Sequence, residues 1–282
     1  MPSLQKIIER SNKLGSLPAI VYRVFEVMDD PKSTATQIGR VINDDPALTA
    51  RLLKLVNSPF YGFTGKVDTV YRAVALIGHK ELRSVVVAAS AIKVFDGIPS
   101  ELVSMPVFWK RSLTTAVVAR VLAAFKREKE IERYFIAGLL HDIGSLLLYL
   151  QLPDEMTQVL HMQTSDGADV FKAEKEVLGF DHAEAGAALL KKWNLPAAIC
   201  GSIQFQKDPE SAPKADRSSA WLIYLAKEIV AHHMEQDQLP EEERTVVAPS
   251  IWLANELDES LLPKILEKAE QQYAGSKDIL LA

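Results

Sequence analysis

Residues 138–150, GLLHDIGSLLLYL, set a histidine and an aspartate side by side, His141 and Asp142, within an otherwise apolar run. An imidazole and a carboxylate can hold a metal ion, move a proton or pair with an opposite charge. Buried among leucines, neither is stable alone, so partners must come from elsewhere in the chain. Adjacent residues on a helix point about 100° apart. Such a pair can flank one ion but cannot complete its shell, and donors on neighbouring helices have to close it.

Other residues that could do chemistry have simpler readings. His232 and His233 are consecutive, so on a helix they diverge, and they are read as surface or helix-end residues. His79, in IGHKEL, takes a capping or interhelical role. Cys200 is the only cysteine, which excludes an intramolecular disulfide, a multi-cysteine zinc site and an iron–sulfur cluster and fits a reducing cytoplasm. It is read as a small buried hydrophobe, because no base motif accompanies it. The segment from Ser33 to Asn57 has the outline of a helix-turn-helix, but its charges include Asp44 and Asp45, and Arg40, Arg51 and Lys54 make only a thin basic face for phosphate. Nucleic acid is therefore not expected as a partner. The formal net charge of −5, from 37 acidic and 32 basic residues, offers no general attraction to nucleic acid or an anionic membrane. No secretion signal or membrane-spanning run is read, so a cytoplasmic protein is expected.

The elements that must position these groups are helical. With 282 residues, 48% of them hydrophobic, the chain can bury a large core. Apolar residues recur at helical spacing, as in Leu48, Leu52, Leu55 and Val56. Asp45 before Pro46 reads as an N-cap with proline in the first turn. The run from Thr69 to Ile92 reads as two helices divided at IGHKE, and FDGIPSELVSMP as a connection. Further helices are read near Val107–Lys126, Tyr134–Leu150 and Pro153–Thr164, and another opens at DHAEAGAALLKKW. QKDPESAPKADRSS and EQDQLPEEER, the latter from Glu235 to Arg244, are read as loops.

Several segments in order resemble the HDOD family, output-domain relatives of the HD metal-dependent phosphohydrolases: LPAIVYRVFEVMDDP, INDDPALTARLLKLVNSPFYG, VYRAVALIGHKELRSVVV, then FIAGLLHDIGSLLL and FDHAEAGAALLKKWNLPAAI. The similarity spans roughly Leu14 to Val230. It implies an all-α fold, with an N-terminal helical subdomain at 1–96 and an HD-like helical subdomain at 97–235; beyond it, apolar residues such as Ile251, Leu257, Leu261 and Ile265 suggest a helical extension at 236–282 packed on the domain. In metal-binding HD enzymes the ligands are an early histidine, the His-Asp pair and a distant aspartate. By that resemblance the early histidine falls at Arg111 and the distant aspartate at Lys227, while a paired-histidine motif falls near Gln206 and Lys207. His182 stands where related cyclic-dinucleotide phosphodiesterases bind a second metal. His141, Asp142 and His182 are thus the remnant of a former metal site, and Arg111 and Lys227 are expected to neutralise Asp142 in place of the ion.

The resulting expectation is a non-catalytic regulatory module without catalytic residues or cofactor, contacting other signalling proteins and no membrane. One alternative is a metal-dependent phosphohydrolase holding iron, manganese or zinc through His141 and Asp142. Another is a non-hydrolytic sensor of a phosphorylated small molecule, with Arg111, Lys207 and Lys227 facing the phosphate.

Overall fold

Local signals place the first helices. Thr34 accepts a hydrogen bond from the Gln37 amide while the Gln37 side chain accepts from the Thr34 amide, a capping box. Asp45 Oδ1 accepts from the amides of Ala47 and Leu48, both at 2.9 Å, ahead of a helix that begins with Pro46. Asn57 closes that helix, its Nδ2 donating to Leu53 O and Val67 O and its Oδ1 accepting from Val67 N. Gly78, at φ +79°, makes the turn between the next two helices, a backbone conformation that favours glycine.

The structure is a computed structural model describing residues 3–11, 15–58, 61, 63–95, 97–234 and 246–274. The N-terminal part contains α1 Leu4–Arg10, α2 Ala19–Asp29, α3 Ala35–Asn43, α4 Pro46–Val56, α5 Val70–Ile77 and α6 His79–Val94. Then follow α7 Met105–Phe125, α8 Ile131–Leu140, α9 Ile143–Gln151, α10 Pro153–Asp166, α11 Val170–Leu178, α12 His182–Lys192, α13 Ala197–Gln204 and α14 Lys214–Ile229. The C-terminal part has α15 Pro249–Ala254 and α16 Leu262–Ala274. No strand occurs among the described residues, and the fold is all-α. The side chain of His79 and the predicted loop Glu235–Arg244 lie outside the described residues.

Helix α7 is the central post. Its buried residues run all round it from Phe108 to Ala123, as they must in a helix covered on every side. Helices α8, α14 and α16 pack on it, while α12 packs on α9 and α13. The N-terminal part joins through α6 on α8 and α1 on α12. Phe95 and Trp193, both fully buried, meet at this junction with ring centroids 6.3 Å apart, and Lys192 Nζ donates to Ser11 Oγ at 3.1 Å. By length and composition the stretch Ile131–Gln151 could cross a membrane, contrary to the sequence reading, but it lies mostly buried inside the protein.

The single helix read near Tyr134–Leu150 is broken at His141 and Asp142 into α8 and α9. The His141 carbonyl accepts from the Gln206 side chain at 2.7 Å, and the Asp142 carbonyl takes the Ser145 amide at 3.0 Å in a tighter turn. Two glycines bracket the break. A Cβ on Gly138 would lie 2.6 Å from the Ala116 Cα, and one on Gly144 would lie 1.9 Å from the His182 carbonyl oxygen. Helix α8 therefore crosses α7, and α9 crosses α12, at backbone contact. The second crossing brings His182 up to the His-Asp pair.

Backbone on one helix cannot yield to a Cβ on the other without separating them. Gly144→Ala is expected to lose about 3 kcal/mol or more in urea unfolding. A loss under about 1 kcal/mol would show that the α9–α12 crossing is looser than described.

Candidate functional site

The pair sits on the floor of a cavity of about 550 Å³ bounded by α7, α9, α10, α11 and α14. His141 is the last residue of the α8 turn and is buried, with Nδ1–H donating to the Gly138 carbonyl at 2.7 Å. This bond fixes the tautomer, leaving the lone pair on Nε2. Burial pushes the His141 pKa down to about 4, so the ring is neutral at pH 7.

Asp142 opens α9 and has His182 as its ion partner, with Nε2 3.1 Å from Oδ1. At that distance the Nε2–H has the carboxylate as its counter-charge. The contact is therefore an ion pair. On its other side His182 donates from Nδ1 to Glu174 Oε2 at 2.7 Å, and its backbone amide donates to the same oxygen at 2.8 Å. Glu174 is fully buried on α11. Burial alone would lower the His182 pKa, but Asp142 and Glu174 outweigh it and raise it to about 9. Burial alone would raise that of Asp142, yet His182, His141 and Lys227 hold it well below the usual carboxylate range. Two carboxylates thus grip one imidazolium. The ring of Phe171 lies over His182 with centroids 4.3 Å apart.

The third component comes from α13 and α14. Gln206 is fully buried just past α13; its Nε2 donates to the His141 carbonyl, and its Oε1 accepts from Lys227 Nζ at 2.8 Å. Lys227 is partly buried on α14, its Nζ 5.1 Å from the Phe171 ring centroid. Burial lowers its pKa, opposed by Asp142, with Lys207 and Arg111 lowering it further. Lys207 is exposed, 2.6 Å from Asp169 and also 5.1 Å from the Phe171 ring. Arg111, on the same face of α7 as Phe108 and Thr115, also lines the cavity.

All seven residues singled out from the sequence, His141, Asp142, His182, Arg111, Gln206, Lys207 and Lys227, line this one cavity. Neutralisation of Asp142 was assigned to Arg111 and Lys227. The contact made is with His182 instead, with Lys227 acting at longer range and tied to Gln206. His232, in the π-helical turn Val230–Met234 that follows α14, pairs with Glu228 Oε2 at 3.0 Å. Cys200 is buried, and its thiol is pushed up to about 11 by that burial. Sequence reasoning missed Glu174, whose only signal is its helical spacing from Phe171, Val177 and Leu178, the buried face of α11. It also missed Phe171 and Tyr149, which line the same cavity.

The HDOD domain model matches residues 14–209. This chain belongs to the HDOD family. An HDOD protein of unknown function from Geobacter sulfurreducens is 24% identical, covering 98% of this chain and 97% of that one, with a TM-score of 0.72. A Shewanella amazonensis SB2B protein named as a candidate phosphohydrolase is 28% identical over 98% of this chain and 97% of its own, with a TM-score of 0.75. An uncharacterized protein of Treponema pallidum (strain Nichols) is 26% identical over 209 residues, 74% of this chain but 40% of that relative. Lys227 lies beyond the matched HDOD residues, so its place beside the pair comes from the geometry alone.

The donors of this HDOD site do not fit a divalent cation. Both ring nitrogens of His182 are engaged by Asp142 and Glu174, and the nearby ammonium of Lys227 would repel the ion. Among the described residues, no three His, Cys, Asp or Glu side chains group so as to hold a metal.

The two histidines set a pH dependence. His182 has a folded pKa of about 9 against about 6.5 unfolded, so its contribution is complete below pH 6.5 and is lost as pH rises towards 9. His141, at about 4 folded, contributes stability that is complete above pH 6.5 and is lost as pH falls towards 4. Urea unfolding across this range is expected to give a maximum near pH 6.5, and His182→Gln to flatten the alkaline limb while keeping the acidic one. An unchanged alkaline limb in that variant would contradict the ion-pair assignment.

Proposed function

We propose that this HDOD protein is a non-catalytic regulatory module of bacterial signal transduction, working in the cytoplasm through contacts with other signalling proteins. The observation that carries this reading is the chain from Lys227 through Gln206 to the His141 carbonyl. It fixes an ammonium beside the carboxylate that a metallohydrolase would offer to its ion. Hydrolysis of a phosphoester in an HD site depends on a cation that lowers the pKa of a bound water and takes up charge on the phosphoryl oxygens. An ammonium cannot generate that nucleophile. We read His141, Asp142 and His182 as the remnant of a dismantled metal centre.

What such a site retains is shape. The three charges of Asp142, His182 and Glu174 lock α9, α11 and α12 together where a metal would otherwise do so, and the outer helical surfaces stay available for recognition. A candidate signal transduction protein from Marinobacter aquaeolei VT8 has a similar structure, with a TM-score of 0.68 at 21% identity. That likeness bears on the fold alone.

Metal analysis of the purified full chain, followed by a phosphoester hydrolysis panel, separates this reading from a phosphohydrolase. Substoichiometric iron, manganese and zinc are expected, with no turnover above background and no difference between the protein and Asp142→Ala. Stoichiometric metal with turnover that Asp142→Ala abolishes would overturn the proposal.

A further inference from the structure

Helices α2 and α3 pack against each other with a short turn between them, and the ion pair Arg23–Asp44, at 2.9 Å, joins the first half of α2 to the residue that ends α3. The two helices therefore run antiparallel. Counting away from that pair at about 1.5 Å per residue, Glu26 and Val27 stand level with Arg40 and Val41, and Asp30 with Gln37. These six residues line an open groove of about 380 Å³ between the helices. Val27 and Val41 are half-buried, whereas Glu26 and Arg40 are exposed. Among the described residues neither Glu26 nor Arg40 makes an ion pair. Tyr22, one turn before Glu26 on the same stripe of α2, is 43% exposed.

The charges on this face are self-complementary. Arg23 and Glu26 on α2 stand level with Asp44 and Arg40 on α3, so at both levels the two helices carry opposite signs. A half-turn about an axis along the mouth of the groove leaves each level in place and sets α2 of a second copy over α3 of the first, as a two-fold interface requires. Glu26 then meets the second copy's Arg40, the reciprocal contact forms beside it, and Val27 and Val41 close on their counterparts near the axis. We propose that two copies of this chain pair face to face through α2 and α3 in this way. A two-fold at right angles would stack α2 on α2 and crowd the Glu26 and Asp30 carboxylates of both copies, which is unfavourable. A partner of one charge sign would satisfy one lip of the groove and oppose the other. The face is small, two helices of 11 and 9 residues, so the association is weak and concentration-dependent. None of these residues lines the cavity, so the pairing holds whatever that site does.

Sedimentation velocity of the full chain at about 5 to about 500 µM, the range suited to a small interface, reads the pairing directly. A monomer that passes into a dimer as concentration rises is expected. Glu26→Arg and Arg40→Glu are each expected to weaken the dimer at least about tenfold, because each sets like charges together at two symmetry-related places. The chain carrying both reversals restores opposite signs and is expected to return to within about threefold of the parent. Far-ultraviolet circular dichroism checks that the helices survive; should a reversal disturb them, Glu26→Gln or Arg40→Gln takes its place, with a weakening of a few fold expected. A chain that stays monomeric across the range would overturn the proposal. So would a dimer that neither single reversal weakens, which would place the contact on another face, or a double reversal that fails to restore it.

Discussion

The fold of the second half of this chain is organised by one buried charge relation: an imidazolium, His182, held between the carboxylates of Asp142 and Glu174. The three residues come from the start of α9, from α11 and from the start of α12, so the interaction fixes how those helices meet. Breaking such a buried relation by removing one partner is far costlier than its net contribution, because a charge is left without compensation in an apolar surround, about 3–5 kcal/mol. Each member therefore depends on the others, and the glycines that allow the helices to touch depend on all of them. Gly144 has no room for a side chain because its helix rests on the backbone of His182 itself.

Around that core the site is assembled from neutral and positive groups. His141 turns one nitrogen into its own helix and stays uncharged, Gln206 takes up the carbonyl freed at the helix break, and Lys227 completes the chain of bonds from the neighbouring helix. The arrangement satisfies most of its polar atoms internally. Glu174 Oε1, fully buried, is an exception.

Much of the architecture was legible in the sequence. Asp45 before Pro46, the hydroxyl residues before α3 and the division at Gly78 are local signals with local causes, and each produced the cap or turn that its chemistry dictates. The ordered motifs were enough to identify the HDOD family. The break between α8 and α9 was not legible, because it is made by a side chain 65 residues away that claims the His141 carbonyl. Glu174 was hidden for a different reason: in KAEKEV a glutamate looks like one more solvated charge, and only the docking of α12 reveals that it is fully buried. The counter-charge of Asp142 was sought among the cations that replace expected ligands, when it stood in the histidine already singled out as a donor.

The most direct test is anomalous diffraction from crystals grown with manganese and collected at a wavelength that reveals it. The account predicts no anomalous peak within coordination distance of His141 Nε2 or the Asp142 carboxylate, with Lys227 Nζ bonded to Gln206 and His182 bridging Asp142 and Glu174. A strong peak coordinated by His141, Asp142 and His182, with the Lys227 side chain turned away, would contradict it.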